Sequence, residues 1–126
     1  MIAADTSTWI AYLQGDRRPD TDWLDRALAD RQVVMPPAVL TELLSDPKLS
    51  AEVSTSLLEL PLLEVTNGFW QRAGALRARV LARRRTARLG DALIAQSCLD
   101  AQVGLLTHDR DLVAFADAAG LDLVLA

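Results

Sequence analysis

Short apolar runs alternate along this chain with longer stretches in which apolar residues return every third or fourth position. The first pattern reads as buried strand and the second as amphipathic helix. Strands are expected near 2–4, 32–35, 62–65, 104–107 and 121–125. Between them, TSTWIAYLQG places Trp9, Ile10 and Leu13 on one helical face, with Gly15 as its stop. DWLDRALADR repeats Trp23, Leu24, Ala27 and Leu28 at helical spacing, which reads as core or helix packing. In QVVMPPAVLTELLSDP the extended run ends at Met35, because a residue before proline is biased away from helix, and Pro37 suits a first helical turn. SAEVSTSLLEL and NGFWQRAGALRARVLARRR read as helices on either side of LLEV. GDALIAQSCLDA is apolar around most of its circumference and is expected to be a central helix packed on a sheet. Strand and helix in alternation predict an α/β fold with a mostly parallel sheet.

At 126 residues, of which 51% are hydrophobic and 24% charged, the chain suits one domain spanning 1–126 with a real core. No apolar run approaches the ~20 residues of a membrane span. MIAADTSTWI lacks the basic-then-apolar pattern of an export signal, so the expected address is the cytoplasm and no membrane partner is expected. A single cysteine, Cys98, excludes an internal disulfide and a cysteine-based zinc site.

The net charge of −4 conceals an uneven distribution. Between Glu64 and Asp91 there is no acid, and seven arginines fall there: Arg72, Arg77, Arg79, Arg83, Arg84, Arg85 and Arg88. The rest of the chain then carries −11. Such a run is either a solvated helix face or a phosphate-binding surface, since each guanidinium offers a fixed fork of donors.

Acids stand where the expected strands end. Asp5 follows MIAA, Asp109 follows GLLTH, Glu42 lies early in the helix after VVMPP, and Asp91 opens the central helix. In a parallel sheet all strand C-termini share one edge, where ligands bind. Each acid also has a plainer reading: Asp5, Asp91 and Asp109 as helix caps, Glu42 as a solvated flank residue, Asp111 as a first-turn charge. Capping does not require the four to meet. If they do meet, mutual repulsion calls for a compensating cation, and Mg²⁺ or Mn²⁺ is the natural oxygen-liganded choice. A carboxylate-bound ion beside an arginine-rich surface suggests phosphodiester chemistry.

Asp5-Thr6-Ser7 after a first strand, Glu42 on the helix after the second, GDALIA with Asp91, and LLTHDRDL with Thr107 and Asp109 resemble, in that order, the PIN-domain nucleases, and within them the VapC toxins of bacterial VapBC toxin–antitoxin systems. The resemblance spans essentially the whole chain. It implies a three-layer α/β/α sandwich around a mostly parallel sheet of about five strands. It also implies a Mg²⁺-dependent endoribonuclease that cuts RNA, forms a homodimer and is neutralised by a VapB-like antitoxin. By that likeness Asp5 and Asp91 are direct metal ligands, with Glu42 and Asp109 completing the acidic site partly through water. Thr107, and with it Thr6 or Ser7, would hold the site in shape, and Asp111 matches a secondary acidic position. Arg83, Arg84, Arg85 and Arg88 are the candidate RNA contacts. Trp9, Tyr12, Leu13, Leu43 and Leu44 are the candidate antitoxin contacts, since they offer more apolar area than one protomer is expected to bury.

Other classes fit worse. A phosphoreceiver domain needs a lysine on its last strand, and the only lysine is Lys48. The six glycines form no phosphate-binding fingerprint, and no Gly-x-Ser-x-Gly elbow exists. A metal-free ribonuclease wants two imidazoles, and His108 is alone, which leaves it as a strand-end surface residue. Two rivals stay open: a noncatalytic interaction module whose acids are caps, and a PIN nuclease acting on DNA.

Overall fold

The computed structural model describes all residues from Met1 to Ala126. Three parallel strands form the sheet in the order β1 (Ile2–Ala4), β2 (Gly104–Thr107), β3 (Leu123–Leu125). Ala3 lies opposite Leu105, and Leu105 opposite Leu123. Seven helices surround them: α1 (Thr6–Leu13), α2 (Pro19–Ala29), α3 (Pro37–Leu44), α4 (Ala51–Leu58), α5 (Phe69–Ala82), α6 (Leu89–Ala101) and α7 (Val113–Ala119). One turn of 3-10 helix at Arg110–Leu112 leads into α7.

The expected strands at 32–35 and 62–65 do not form as regular strands. Each makes one isolated parallel bridge, Ile2 with Val33 and Met35 with Leu62. The runs still lie where strands would lie. Ile2 donates to the Gln32 carbonyl at 2.8 Å, Val34 to Ile2 at 2.9 Å, Met35 to Pro61 at 2.8 Å and Leu63 to Met35 at 2.9 Å. Prolines stop these ladders, because Pro36, Pro37 and Pro61 have no N–H to continue them. At the other edge, pairing starts at Leu123 rather than Leu121.

Ala3, Ala4, Leu105 and Leu106 are all fully buried. Successive strand residues point to opposite faces, so helices cover both sides of the sheet. α6 packs against α3, α5 and β2, and it buries Ala92, Ile94, Ala95 and Cys98 as expected of a central helix. Trp23, expected in a packed interface, is instead 44% exposed and lies under the Arg26 guanidinium, 5.8 Å from the ring centre. The neighbouring Leu24 supplies the core contact. No helix is long and apolar enough to cross a membrane.

Candidate active site

Parallel pairing of β1 with β2 brings two acid-bearing strand ends to one edge. Asp5 leaves β1, and its amide donates to the Leu106 carbonyl at 3.0 Å. Its carboxylate caps α1, with Oδ1 accepting from the Thr8 amide and from Ser7 Oγ, both at 3.0 Å. Oδ2 accepts from Thr107 Oγ1 at 2.5 Å, and that same hydroxyl accepts from the Asp109 amide at 2.9 Å. The fully buried Thr107 thus links the ends of β1 and β2. Asp109 in turn caps the 3-10 turn, its Oδ1 accepting from the Asp111 amide at 2.9 Å.

Glu42 reaches the site from α3, where Thr6 Oγ1 donates to its Oε1 at 2.7 Å. Across from it stands Gly90 in the first turn of α6. A Cβ at that position would lie 3.6 Å from the Glu42 carboxylate, an ordinary van der Waals contact, so α6 begins directly beside this acid.

Asp91 is the acid that capping does not explain. The residue at the N-cap of α6 is Arg88, and Asp91 lies inside the helix, half-buried, with Oδ2 out of solvent and accepting no hydrogen bond. Burial pushes its carboxyl up from 3.8 to about 6. The negative charges of Asp109, Asp5 and Glu42 add to this rise, and Arg88 opposes it. Each of the other three acids is therefore close enough to act on Asp91. Charging this carboxylate leaves a buried oxygen without a partner beside three like charges, which is the situation a cation relieves.

Nowhere do three acid, histidine or cysteine side chains close into a ready-made ligand cage. Mg²⁺ does not require one, since it keeps several waters and takes one or two carboxylates directly. An open set of acids with one unpaired Asp91 oxygen fits such an ion. It does not fit a metal that demands four protein ligands.

The family model for the PIN domain matches residues 2–120. The chain belongs to the PIN domain family. No curated protein matches it. Among solved structures, this PIN domain is similar to a chain of VapBC2 from Rickettsia felis bound to a DNA fragment from its promoter. That match has a TM-score of 0.72 and 21% identity, covering 100% of this chain and 99% of the other. A chain of a toxin–antitoxin complex from Klebsiella pneumoniae gives 0.71 at 19%, covering 98% and 96%. One from VapBC-5 of Mycobacterium tuberculosis gives 0.59 at 19%, covering 75% and 82%.

The structure gives the supporting residues of this PIN domain particular partners. Ser7 and Thr107 hold Asp5, whereas Thr6 holds Glu42. Asp111 faces Arg88. Of the arginine run, Arg85 lies 3.4 Å from Asp117 and Arg88 3.7 Å from Asp111, while Arg83 and Arg84 make no ion pair. His108 is an exposed strand-end residue whose Nδ1 meets the Ala126 carbonyl oxygen at 2.9 Å.

The apolar candidates divide. Trp9 and Leu43 are buried in the protomer's own core, at 2% and 4% exposure, so they are not a free surface for a partner. Tyr12 is half-buried, meets Trp9 edge-on at 6.0 Å and donates to Asp25. Leu13 and Leu44 stay exposed. Leu13 borders a groove of about 450 Å³ shared with Ile10, Leu49, Val53 and, at the acid end, Glu42.

One buried network had no sequence signal. Asp20, fully buried at the start of α2, accepts from Thr8 Oγ1 at 2.9 Å and from Arg18 Nη2 at 2.6 Å. Burial alone would raise its pKa, but these hydrogen bonds outweigh it and hold the carboxyl below its usual range.

Proposed function

We propose that this PIN domain is a VapC-type toxin, an endoribonuclease dependent on Mg²⁺ or Mn²⁺. The carrying observation is Asp91: a half-buried carboxyl with an unpaired oxygen, whose charge is disfavoured by burial and by the charges of Asp109, Asp5 and Glu42. Capping accounts for Asp5 and Asp109 but not for Asp91, and this favours a cation site over a noncatalytic module. Asp5 and Asp91 would hold the ion, with Glu42 and Asp109 contributing through water. When bound, the ion supplies Lewis acidity and countercharge for hydrolysis of a phosphodiester. The protein's own part is positioning. Thr107, Ser7 and the Thr8 amide fix both Asp5 oxygens, and Thr6 fixes Glu42.

RNA is the proposed substrate, with the unpaired Arg83 and Arg84 beyond the end of α5 contributing to its capture. A VapB-like antitoxin is the proposed partner, seated along Ile10, Leu13, Leu49 and Val53 and reaching the acids past Glu42. The exposed apolar side chains of Val65, Trp70 and Leu89 support a homodimer, since an isolated protomer leaves Trp70 64% and Leu89 63% exposed.

The test is cleavage of single-stranded RNA and DNA of one sequence, with Mg²⁺ or EDTA, by wild type and Asp91→Asn. RNA cleavage that needs the metal and is lost in the variant is expected. Cleavage of DNA alone would replace the substrate, and metal-independent cleavage equal in both proteins would remove the reading.

A further inference from the structure

The arginines between Glu64 and Asp91 differ in what they already hold. Arg72 is committed to Asp100 at 2.7 Å and to Thr66 Oγ1 at 2.9 Å. Arg77 Nε donates to the Ala87 carbonyl at 2.8 Å, which ties down the segment entering α6. Arg88 follows directly. Its carbonyl accepts from the Ala92 amide at 3.1 Å, so its backbone is fixed while its side chain is 67% exposed. It is the one cation whose charge acts on Asp91.

The present partner of Arg88 is a poor one. Nη2 lies 3.7 Å from Asp111 Oδ2, beyond hydrogen-bonding distance, and the Asp111 side chain is 41% exposed. Such an open, solvated pair holds weakly. A phosphate would be a better partner, since its oxygens accept two parallel guanidinium bonds. An edge bearing four carboxylates repels a polyanion, so a fixed cation there has an evident use.

We propose that Arg88 is the phosphate clamp of this site: it leaves Asp111 to grip the substrate phosphodiester beside the four acids, and Asp111 is the internal competitor that parks it between substrates. The inference rests on the nuclease reading for the identity of the substrate, and goes beyond it in separating Arg88 from the general basic surface. Arg77 acts as a positioning residue for the clamp through the Ala87 carbonyl.

The experiment measures binding of a fluorescein-labelled single-stranded RNA by anisotropy over a salt series, with Ca²⁺ replacing Mg²⁺, and cleavage of the same RNA on gels with Mg²⁺. Arg88→Gln should weaken binding about tenfold and lower the salt slope by roughly 0.7, one single-strand phosphate contact. Arg88→Lys should recover part of the affinity, since it keeps the charge and loses the fork. Asp111→Asn should tighten binding about threefold by the loss of an exposed competing pair, a gain that a merely structural role for Asp111 would not produce. In the double variant that gain should vanish. Unchanged binding in Arg88→Gln, or weaker binding in Asp111→Asn, overturns the clamp. If the binding changes appear but no protein cleaves RNA, the nuclease reading falls and the clamp stands. If wild type does not bind RNA, both fall.

Discussion

Replacing Asp91 by asparagine should make the metal-free protein more stable at neutral pH, against the usual expectation for a residue at the heart of a site. The folded-state carboxyl is raised from 3.8 to about 6, so folding disfavours its charged form. The penalty is absent below the unfolded value of 3.8, grows as pH rises toward 6, and is fully present above it. A displacement of that size corresponds to at most about 3 kcal/mol. Asp91 is only half-buried, so solvent screening reduces this to about 1–1.5 kcal/mol. For a chain of this length that is a rise in Tm of roughly 4–6 °C. The assay is thermal unfolding of wild type and Asp91→Asn in EDTA at pH 7.5 and near pH 3.5, then at pH 7.5 with millimolar Mg²⁺. The asparagine variant should melt higher at pH 7.5 without metal and level with wild type near pH 3.5. Mg²⁺ should raise wild type and leave the variant in place. A variant that melts at or below wild type in EDTA at pH 7.5, or an advantage that persists near pH 3.5, refutes the account of Asp91 as a carboxylate held against its own charge.

Thr107→Val keeps the shape of the side chain and deletes the hydroxyl shared by Asp5 and the Asp109 amide, so it should cost about 2–3 kcal/mol in urea unfolding, with Thr107→Ser losing clearly less. Asp20→Ala removes the acceptor of Thr8 and Arg18 from the interior; a loss of roughly 3 kcal/mol is expected, and a stability within 0.5 kcal/mol of wild type, the ordinary range of a neutral surface change, would show that the network is slack. Trp70→Glu should convert a dimer of the 13.7 kDa chain to a monomer in light scattering, whereas an unchanged mass would place the dimer contact elsewhere.

What the sequence revealed follows from how local each cause is. The apolar runs of β1 and β2 are buried on both faces, so their composition marked them plainly. The runs at 32–35 and 62–65 carry the same apolar signal; Pro36 marks the end of the first and Pro37 a helix entry, but the effect of Pro36, Pro37 and Pro61 on strand pairing is a matter of missing donors, which hydropathy does not register. Asp5, Glu42 and Asp109 stood out because each follows an extended run, and parallel topology brings such positions to one edge; Asp91 stood out because it opens the helix that leads into β2. Their division of labour was less accessible, since whether Thr6 serves Asp5 or Glu42 depends on where α3 lies. Trp9 and Trp23 show the same limit: both sit at helical spacing, and only the packing of α1 and α2 decides that one is buried and the other open. The link from Asp20 to Thr8 joins side chains twelve positions apart on two different helices, α2 and α1, and no spacing rule announces it.

The bond from Thr107 to Asp5 joins residues 102 positions apart in a chain of 126. During synthesis Asp5 and Glu42 therefore leave the ribosome well before the element that gathers them, and Asp91 only shortly ahead of it. A nascent or prematurely released chain ending ahead of β2 holds three of the four acids with no strand to bring their supports into line. The acid-bearing edge is therefore assembled only when translation is nearly finished.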